Sequence, residues 1–125
     1  MNVAIVGASD KPDRYSYRAV EQLLAAGHTV FPVHPRVKQV QNLTVYATLS
    51  DIPEPIHTVT LYVSAALSDK LEKELIALRP RRVIFNPGTE NHPLMTTLLA
   101  HDIAAGEACT LVLLSTGNFT SFMLA

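Results

Sequence analysis

Short apolar runs alternate along the chain with longer segments in which the apolar residues are spaced apart. Four of these runs are too short for helices and rich in β-branched residues, which predicts buried strands. They comprise residues 3–6, 29–33, 58–63 and 82–85. We expect a fifth strand within residues 103–114, and the part of that stretch after Cys109 fits a strand or a helix.

The segments between the strands carry apolar residues at helical spacing. Gly27 ends the first such pattern as a C-terminal cap does, and Ser64 can cap the second. The third begins at Asn91 or His92, with Pro93 at a first helical position. The side chains predicted to face the core are Val20, Leu23 and Leu24 in the first helix, Leu67, Leu71, Leu75 and Leu78 in the second, and Leu94, Leu98 and Leu99 in the third.

Strands that are apolar throughout and alternate with helices are typical of a parallel sheet covered on both faces. The sequence therefore predicts an α/β fold with a doubly wound parallel sheet of about five strands, in a single domain spanning residues 1–125. The segment between the second and third strands is long for a loop. We expect it to contain a short extended piece at residues 44–46 and a turn at residues 50–52.

Ligands of such sheets bind beyond the carboxyl ends of the strands, so the loop after the first strand is informative. Gly7 permits a tight turn there, and Ala8 and Ser9 are small enough for a phosphate to approach the backbone amides. The helix that follows has a dipole that favours an anion at this end. The loop therefore indicates a phosphate ligand, with close packing of small residues as the alternative.

The loop after the second strand bears on the type of nucleotide. A domain that binds NAD normally carries a carboxylate at this point, whereas here His34, Pro35 and Arg36 follow the strand. Arg36 with Lys38 suits the extra phosphate on the adenosine ribose of NADP or coenzyme A. The alternatives are a solvated basic loop and, for His34, a turn residue that caps local backbone.

Five segments spread over nearly the whole chain carry a family resemblance. They read VAIVGAS, VFPVHPR, LYVSAA, NPGTEN and CTLVLLSTGNF. In this order and spacing they resemble the small CoA-binding proteins related to the N-terminal domain of the succinyl-CoA synthetase alpha subunit. The resemblance implies a Rossmann-like sheet of five strands that holds coenzyme A across their carboxyl ends.

The resemblance also implies a role for each loop. The phosphates would contact Gly7, Ala8 and Ser9, the adenosine end would lie beside His34, Pro35 and Arg36, the cofactor's path would be lined by Val63, Ser64 and Ala65, and the pantetheine side would face Asn86, Pro87 and Gly88. The chain departs from the family pattern at three positions. His34 replaces an asparagine, Ser64 a proline and Asp102 a helix-ending glycine.

No set of residues in the sequence predicts catalysis. The synthetase transfers phosphate through a histidine on a second domain, for which this chain has no room, so its histidines inherit no such role. Cys109 stands alone in an apolar stretch and is interpreted as a small core residue. The loop carboxylates form no recognisable acid–base pair, and we expect Glu90 to assist the start of the third helix. Residues 79–82, RPRR, are expected to form a solvated turn at the opposite end of the sheet.

Composition narrows the classes of partner. The chain is 48% hydrophobic and 17% charged with a net charge of −1, which disfavours disorder and nucleic-acid binding. No apolar run approaches the ~20 residues of a membrane span and no basic leader precedes the first strand, so we expect a cytoplasmic protein. A single cysteine and scattered histidines predict neither disulfides nor a metal site.

The sequence thus favours a protein that binds coenzyme A or an acyl-CoA and has no chemistry of its own. It would act as a carrier, a sensor or a subunit completed by a protein partner, with a homo-oligomer as a further arrangement. A small oxidoreductase-type NADP-binding module is the alternative, and a pure interaction domain that has lost its ligand is a third hypothesis.

Overall fold

Five parallel strands form the centre of the molecule in a computed structural model that describes residues 1–124. The strands in chain order are β1 Asn2–Val6, β2 Thr29–Val33, β3 Gln39–Val40, β4 Leu43–Thr44, β5 Thr58–Leu61, β6 Arg82–Phe85 and β7 Ala104–Glu107. The central sheet has the order β2-β1-β5-β6-β7, and β3 and β4 form a separate antiparallel hairpin. The order reverses between β1 and β5, which places the switch point of the sheet there.

Helices cover both faces of this sheet. They are α1 Tyr15–Ala25, α2 Ala65–Ser68, α3 Glu72–Leu78, α4 His92–Ala100 and α5 Thr110–Ser115. Helices α1 and α5 pack on one face, and α3 and α4 pack on the other. The predicted doubly wound α/β fold is confirmed, as is the Rossmann-like sheet of five strands. No helix within residues 1–124 is long and apolar enough to cross a membrane.

The two apolar faces explain why the strands read as continuous apolar runs. Successive side chains of a strand point to opposite faces. In β1, Val3 and Ile5 join the cluster under α1 and α5, whereas Ala4 and Val6 join the cluster under α3 and α4. All four are buried. Because both faces are covered, residues 3–6 of this strand are all apolar.

The second predicted helix is interrupted, which corrects part of its predicted core stripe. A 3-10 turn at Asp69–Leu71 separates α2 from α3, so the spacing of a single helix is not maintained. Leu75 is fully buried, but Leu67 and Leu99 are 51% and 54% exposed, and Leu24 of α1 is 36% exposed. All three of these exposed leucines were expected in the core. The stretch after Cys109 forms α5, which settles the choice between strand and helix.

The segment between β2 and β5 has structure of its own, as expected. It contains the hairpin of β3 and β4, then Tyr46, whose backbone pairs with Val33 of β2. A 3-10 turn follows at Leu49–Asp51, close to the predicted turn. Leu49 and Ile52 are buried against the α3 side of the sheet, so the segment closes one edge of the core.

Arg82 corrects the interpretation of RPRR as a solvated turn. Arg79 and Arg81 are exposed, but the Arg82 side chain is fully buried at the first position of β6. Its Nε donates to Thr58 Oγ1 at 2.8 Å and its Nη1 donates to the carbonyl oxygens of Phe119 and Phe122 at 2.7 and 2.8 Å. The guanidinium also lies 4.5 Å from the centre of the Phe119 ring. Burial lowers the Arg82 pKa to about 10.

Two helices end in the same hydrogen-bonding pattern, although only one of them ends in glycine. The Gly27 N–H donates to the Leu24 carbonyl, and the His28 N–H donates to the Leu23 carbonyl. This pair of hydrogen bonds is a Schellman motif. Asp102 takes the corresponding position after α4, with its N–H donating to Leu99. The φ angles are +87° at Gly27 and +61° at Asp102. The aspartate therefore occupies a left-handed conformation that glycine adopts without strain.

We predict that Asp102→Gly stabilises the protein by about 1 kcal/mol, because it relieves the left-handed backbone strain and removes a negative charge from a helix C-terminus. Urea unfolding measures the change. Asp102→Ala is the matched control, since it removes the charge but retains the strain. An equal gain from alanine and glycine would contradict a conformational origin.

Candidate functional site

A cleft of about 890 Å³ opens at the carboxyl ends of β1, β2 and β5. It therefore lies at the switch point, where doubly wound sheets bind their ligands. Three loops bound the cleft, one after each of these strands, and the α3 side closes it through Lys70, Leu71 and Glu74. The sequence-predicted residues that line it are Gly7, Ala8, Ser9, His34, Pro35, Arg36, Val63 and Ser64.

Gly7 is required by the way β1 and β5 meet at the cleft floor. Its φ angle is +86°, which a residue with a side chain rarely adopts. A Cβ atom at this position would lie 2.7 Å from the carbonyl oxygen of Tyr62 and 2.9 Å from a methyl carbon of Val63. The backbone after β5 thus packs directly on Gly7, and any larger residue would push the two loops apart.

The amides after β1 are not all available to an anion. The N–H groups of Gly7 and Ala8 both donate to the carbonyl oxygen of Val33, at 3.0 and 3.2 Å. The Ser9 hydroxyl accepts from the Lys11 N–H at 3.1 Å, whereas the Ser9 N–H has no acceptor within residues 1–124. Of the three residues expected to contact phosphate, Ser9 therefore offers the free backbone donor.

His34 caps the local backbone, which is one of the two roles considered for it from the sequence. It lines the cleft, and its Nδ1 accepts hydrogen bonds from the N–H groups of Arg36 and Val37, each at 3.0 Å. An Nδ1 acceptor requires the proton of the neutral ring to be on Nε2. An asparagine side-chain oxygen can accept the same bonds, as in an Asx-turn. The histidine thus preserves the turn despite the departure from the family pattern.

Positive charge is concentrated around the cleft. The chain has 10 lysines and arginines against 11 acidic residues. The cleft is lined by four of the cations, Lys11, Arg14, Arg36 and Lys70, and by two of the acids, Asp10 and Glu74. Glu74 is engaged, because its Oε2 accepts from the Ser50 N–H and hydroxyl at 3.2 and 3.3 Å. The net charge of the lining favours an anionic ligand.

The loop after β5 contributes Val63 and Ser64 to the cleft, but Ala65 lies outside its lining. Ser64 is the N-cap of α2, as predicted, and its Oγ accepts from the Leu67 N–H at 3.4 Å. The Ala65 carbonyl accepts from the Ser68 hydroxyl at 3.2 Å. Ser64 therefore fixes the start of α2 while its exposed side chain borders the cleft.

The loop after β6 also lies outside the cleft, including Asn86, Pro87 and Gly88. Asn86 is only 2% exposed, and its amide nitrogen donates to Thr60 Oγ1 and the Leu61 carbonyl at 2.6 and 2.8 Å. Its side-chain oxygen accepts from the Thr110 N–H at 2.9 Å. This amide joins β5, β6 and the start of α5, so its polar atoms are committed to the fold.

Glu90 holds the turn that precedes α4. Its carboxylate accepts from the Gly88 N–H at 3.0 and 3.1 Å. Hydrogen bonds from the backbone of Glu90 itself and of Gly88 lower the pKa of this carboxyl. The N-cap of α4 is Asn91, whose Oδ1 accepts from the Leu94 N–H at 3.1 Å.

Several residues of the cleft were missed from the sequence. Lys11, Arg14 and Ser16 lie on the loop and helix that follow β1. The sequence shows the charges of Lys11 and Arg14 and the hydroxyl of Ser16 after the first strand. It does not indicate that these side chains line the cleft. Tyr62 also lines the cleft, and its hydroxyl is buried with no hydrogen-bond partner among residues 1–124. Burial raises the Tyr62 pKa to about 12.

Cys109 is half-buried at the N-cap of α5, so it is not the core residue expected from the sequence, and it does not line the cleft. Residues 1–124 contain no group of three or more side chains placed to bind a metal ion.

Residues 1–115 match the model of a family described as CoA binding domain. The chain belongs to this family of CoA-binding domains. A stretch of 60 residues is 32% identical to the uncharacterized protein YneT of Bacillus subtilis strain 168, and covers 48% of this chain and 44% of that protein. The matched stretch thus spans less than half the length of that relative.

Solved structures share the architecture of this CoA-binding domain. A crystal structure of an uncharacterized protein matches with a TM-score of 0.85 and 36% identity, over 94% of this chain and 97% of that one. A dinucleotide-forming acetyl-coenzyme A synthetase from Candidatus Korarchaeum cryptofilum matches with a TM-score of 0.73 and 18% identity, over 83% of this chain and 25% of that one. The second likeness extends to the fold alone.

We predict that His34→Ala destabilises the CoA-binding domain by about 1 kcal/mol, because two N–H groups lose their acceptor. His34→Asn should lose much less, since its oxygen can replace Nδ1. Urea unfolding measures both variants, and hydrogen exchange reports the amides of Arg36 and Val37. Unchanged protection of these amides in His34→Ala would show that the ring does not hold the turn.

Proposed function

We propose that the protein binds coenzyme A or an acyl-CoA in the cleft beyond β1, β2 and β5. The observation that carries the proposal is the cationic lining of this cleft in a chain whose net charge is −1. A cleft of about 890 Å³ lies within the range of roughly 300–1,000 Å³ that is usual for small-molecule sites. Membership of the CoA-binding domain family supports coenzyme A as this anion.

The end of β2 supports coenzyme A over NAD. Pro35 and Arg36 occupy the place where a ribose-binding carboxylate would stand, and both line the cleft. The Arg36 side chain has no hydrogen-bond or ion-pair partner among residues 1–124. We propose that it pairs with the phosphate on the adenosine ribose. NADP carries a phosphate on the same ribose, so the family match is what favours coenzyme A over it.

We propose that the domain has no chemistry of its own and acts as a carrier, a sensor or a subunit. The lining includes three side chains of the types that most often serve as general acids or bases, which are Asp10, His34 and Glu74. His34 Nδ1 and the Glu74 carboxylate are both occupied by backbone N–H groups. This commitment supports a binding role. We propose that the domain acts in the cytoplasm, alone, with a protein partner or as a homo-oligomer.

The proposed ligand is tested by thermal unfolding in the presence of coenzyme A, NADP or NAD. At a ligand concentration of about 100 Kd, binding to the folded state alone stabilises by ~2.7 kcal/mol. We expect millimolar coenzyme A to raise the Tm by several degrees and NAD to leave it unchanged. Stabilisation by NADP that equals or exceeds that by coenzyme A would favour the oxidoreductase-type alternative. A Tm that responds to neither coenzyme A nor NADP would favour an interaction domain.

A further inference from the structure

Residues 116–124 lie beyond the part of the chain that matches the family, yet this segment is anchored in the core. Phe119 is only 2% exposed and joins the cluster under α1 and α5. The buried Arg82 holds the segment, because its Nη1 donates to the carbonyl oxygens of Phe119 and Phe122 and its guanidinium faces the Phe119 ring. One buried cation at the start of β6 thus binds the segment to the sheet.

Arg82 has no ion-pair partner among residues 1–124. Its acceptors are neutral, namely the Thr58 hydroxyl, the two carbonyl oxygens and, at 3.8 Å, the Met1 sulfur. Burial of a cation has a desolvation cost, which here is offset by these hydrogen bonds and the aromatic ring. An additional positive charge nearby would therefore act on a cation that has no counter-ion in this part of the chain.

Two half-buried histidines lie near this cation, on either side of β1. His28 precedes β2, and its Nδ1 lies 3.2 Å from the Met1 ammonium nitrogen, which can only donate. The His28 ring also contacts the Phe119 ring edge-on, with 5.1 Å between the ring centres. His57 precedes β5, and its Nδ1 lies 2.8 Å from Thr58 Oγ1. This hydroxyl accepts from the guanidinium and can donate its own hydrogen to the neutral ring.

The charged groups that face the two rings are positive. Burial is the largest cause that lowers the pKa of His28 and of His57 from the ordinary 6.5. The further causes are the Met1 ammonium and Arg82 at both rings, Arg81 at His57, and the His57 ring at His28. The segment they adjoin contributes no titratable side chain. The stabilisation by the neutral rings is therefore present above pH 6.5 and is lost as the pH falls through their lowered pKa values.

We infer that this cluster is an acid-sensitive latch, in which protonation of His28 and His57 releases residues 116–124 from the sheet. A proton on Nδ1 removes the acceptor that each ring offers to its neighbour. It also adds two positive charges near a buried guanidinium that has no counter-ion among residues 1–124. The latch lies at the amino ends of the strands, opposite the cleft, so it does not depend on the proposed ligand.

NMR of the wild-type protein between about pH 7.5 and pH 5 tests the latch, above the ordinary pKa values of carboxyl groups. We expect the amides of residues 116–124 to lose their heteronuclear NOE below pH 6.5, in step with the titration of His28 and His57. The amides of β1 and β5 should keep theirs, because only the segment is released.

A double variant, His28→Asn with His57→Asn, cannot take up these protons. The asparagine oxygen can replace Nδ1 as an acceptor, so the segment should stay ordered at about pH 5 in this variant. His101→Asn alters an exposed histidine that follows α4, and it is the matched control that should release the segment as the wild type does. Arg82→Met should release the segment at about pH 7.5 as well, and it should raise the titration midpoints of both histidines.

A wild-type segment that stays ordered at about pH 5 would overturn the inference, as would an equal loss of order in the double variant. Simultaneous loss of order in β1 and β5 would also overturn it, because the whole domain would then be unfolding in acid. A folded Arg82→Met protein with an ordered segment would show that Arg82 does not hold it. If Arg82→Met does not fold, the double variant still decides between these outcomes.

Discussion

The close contact between Gly7 and the backbone after β5 is the constraint on which the cleft depends. The strand order reverses between β1 and β5, so the two following loops diverge toward opposite faces of the sheet. Gly7 lets the first loop turn at once, with the Tyr62 carbonyl where a side chain would otherwise be. Val33 then holds this turn by accepting from both Gly7 and Ala8. The three loops of the cleft are thereby fixed to one another.

The contacts that fix these loops also determine which polar groups remain available to a ligand. The N–H groups of Gly7 and Ala8 hold the turn after β1. The backbone donors that remain free therefore lie at Ser9 and at the start of α1. His34 is likewise committed to its own turn, in which it accepts from the Arg36 N–H, while the Arg36 side chain has no hydrogen-bond or ion-pair partner among residues 1–124. In each loop the residues next to the strand are held by hydrogen bonds. The groups available to an anion lie a few residues further along the chain.

The sequence predicted the fold more fully than the site. Apolar runs such as β1 are recognisable because both faces of the sheet are covered. The sequence also indicated the edge at which a ligand binds, but of the four loops expected there only those after β1, β2 and β5 line the cleft. Helical spacing could not reveal the interruption after Ser68 or the exposure of Leu67, since these depend on how α2 and α3 seat on the sheet. The buried position of Arg82 depends on carbonyls of Phe119 and Phe122, far away in the chain.

The same limit applies within the site. Residues were assigned to it by loop, and a loop at the right edge of the sheet does not guarantee that its polar atoms are free. Asn86 follows β6 as expected, yet its amide is consumed by Thr60, Leu61 and Thr110. Ser16, by contrast, lines the cleft and is only 5% exposed, a position that the sequence after β1 could not indicate.

The most direct test of the central claim is native mass spectrometry of the protein purified from cells without added ligand. The account predicts a bound species with the mass of coenzyme A or an acyl-CoA, at no more than one per chain, which is lost on denaturation. The mass would also identify any acyl group. A bound species with the mass of NADP, or free protein that stays free after coenzyme A is added, would contradict it.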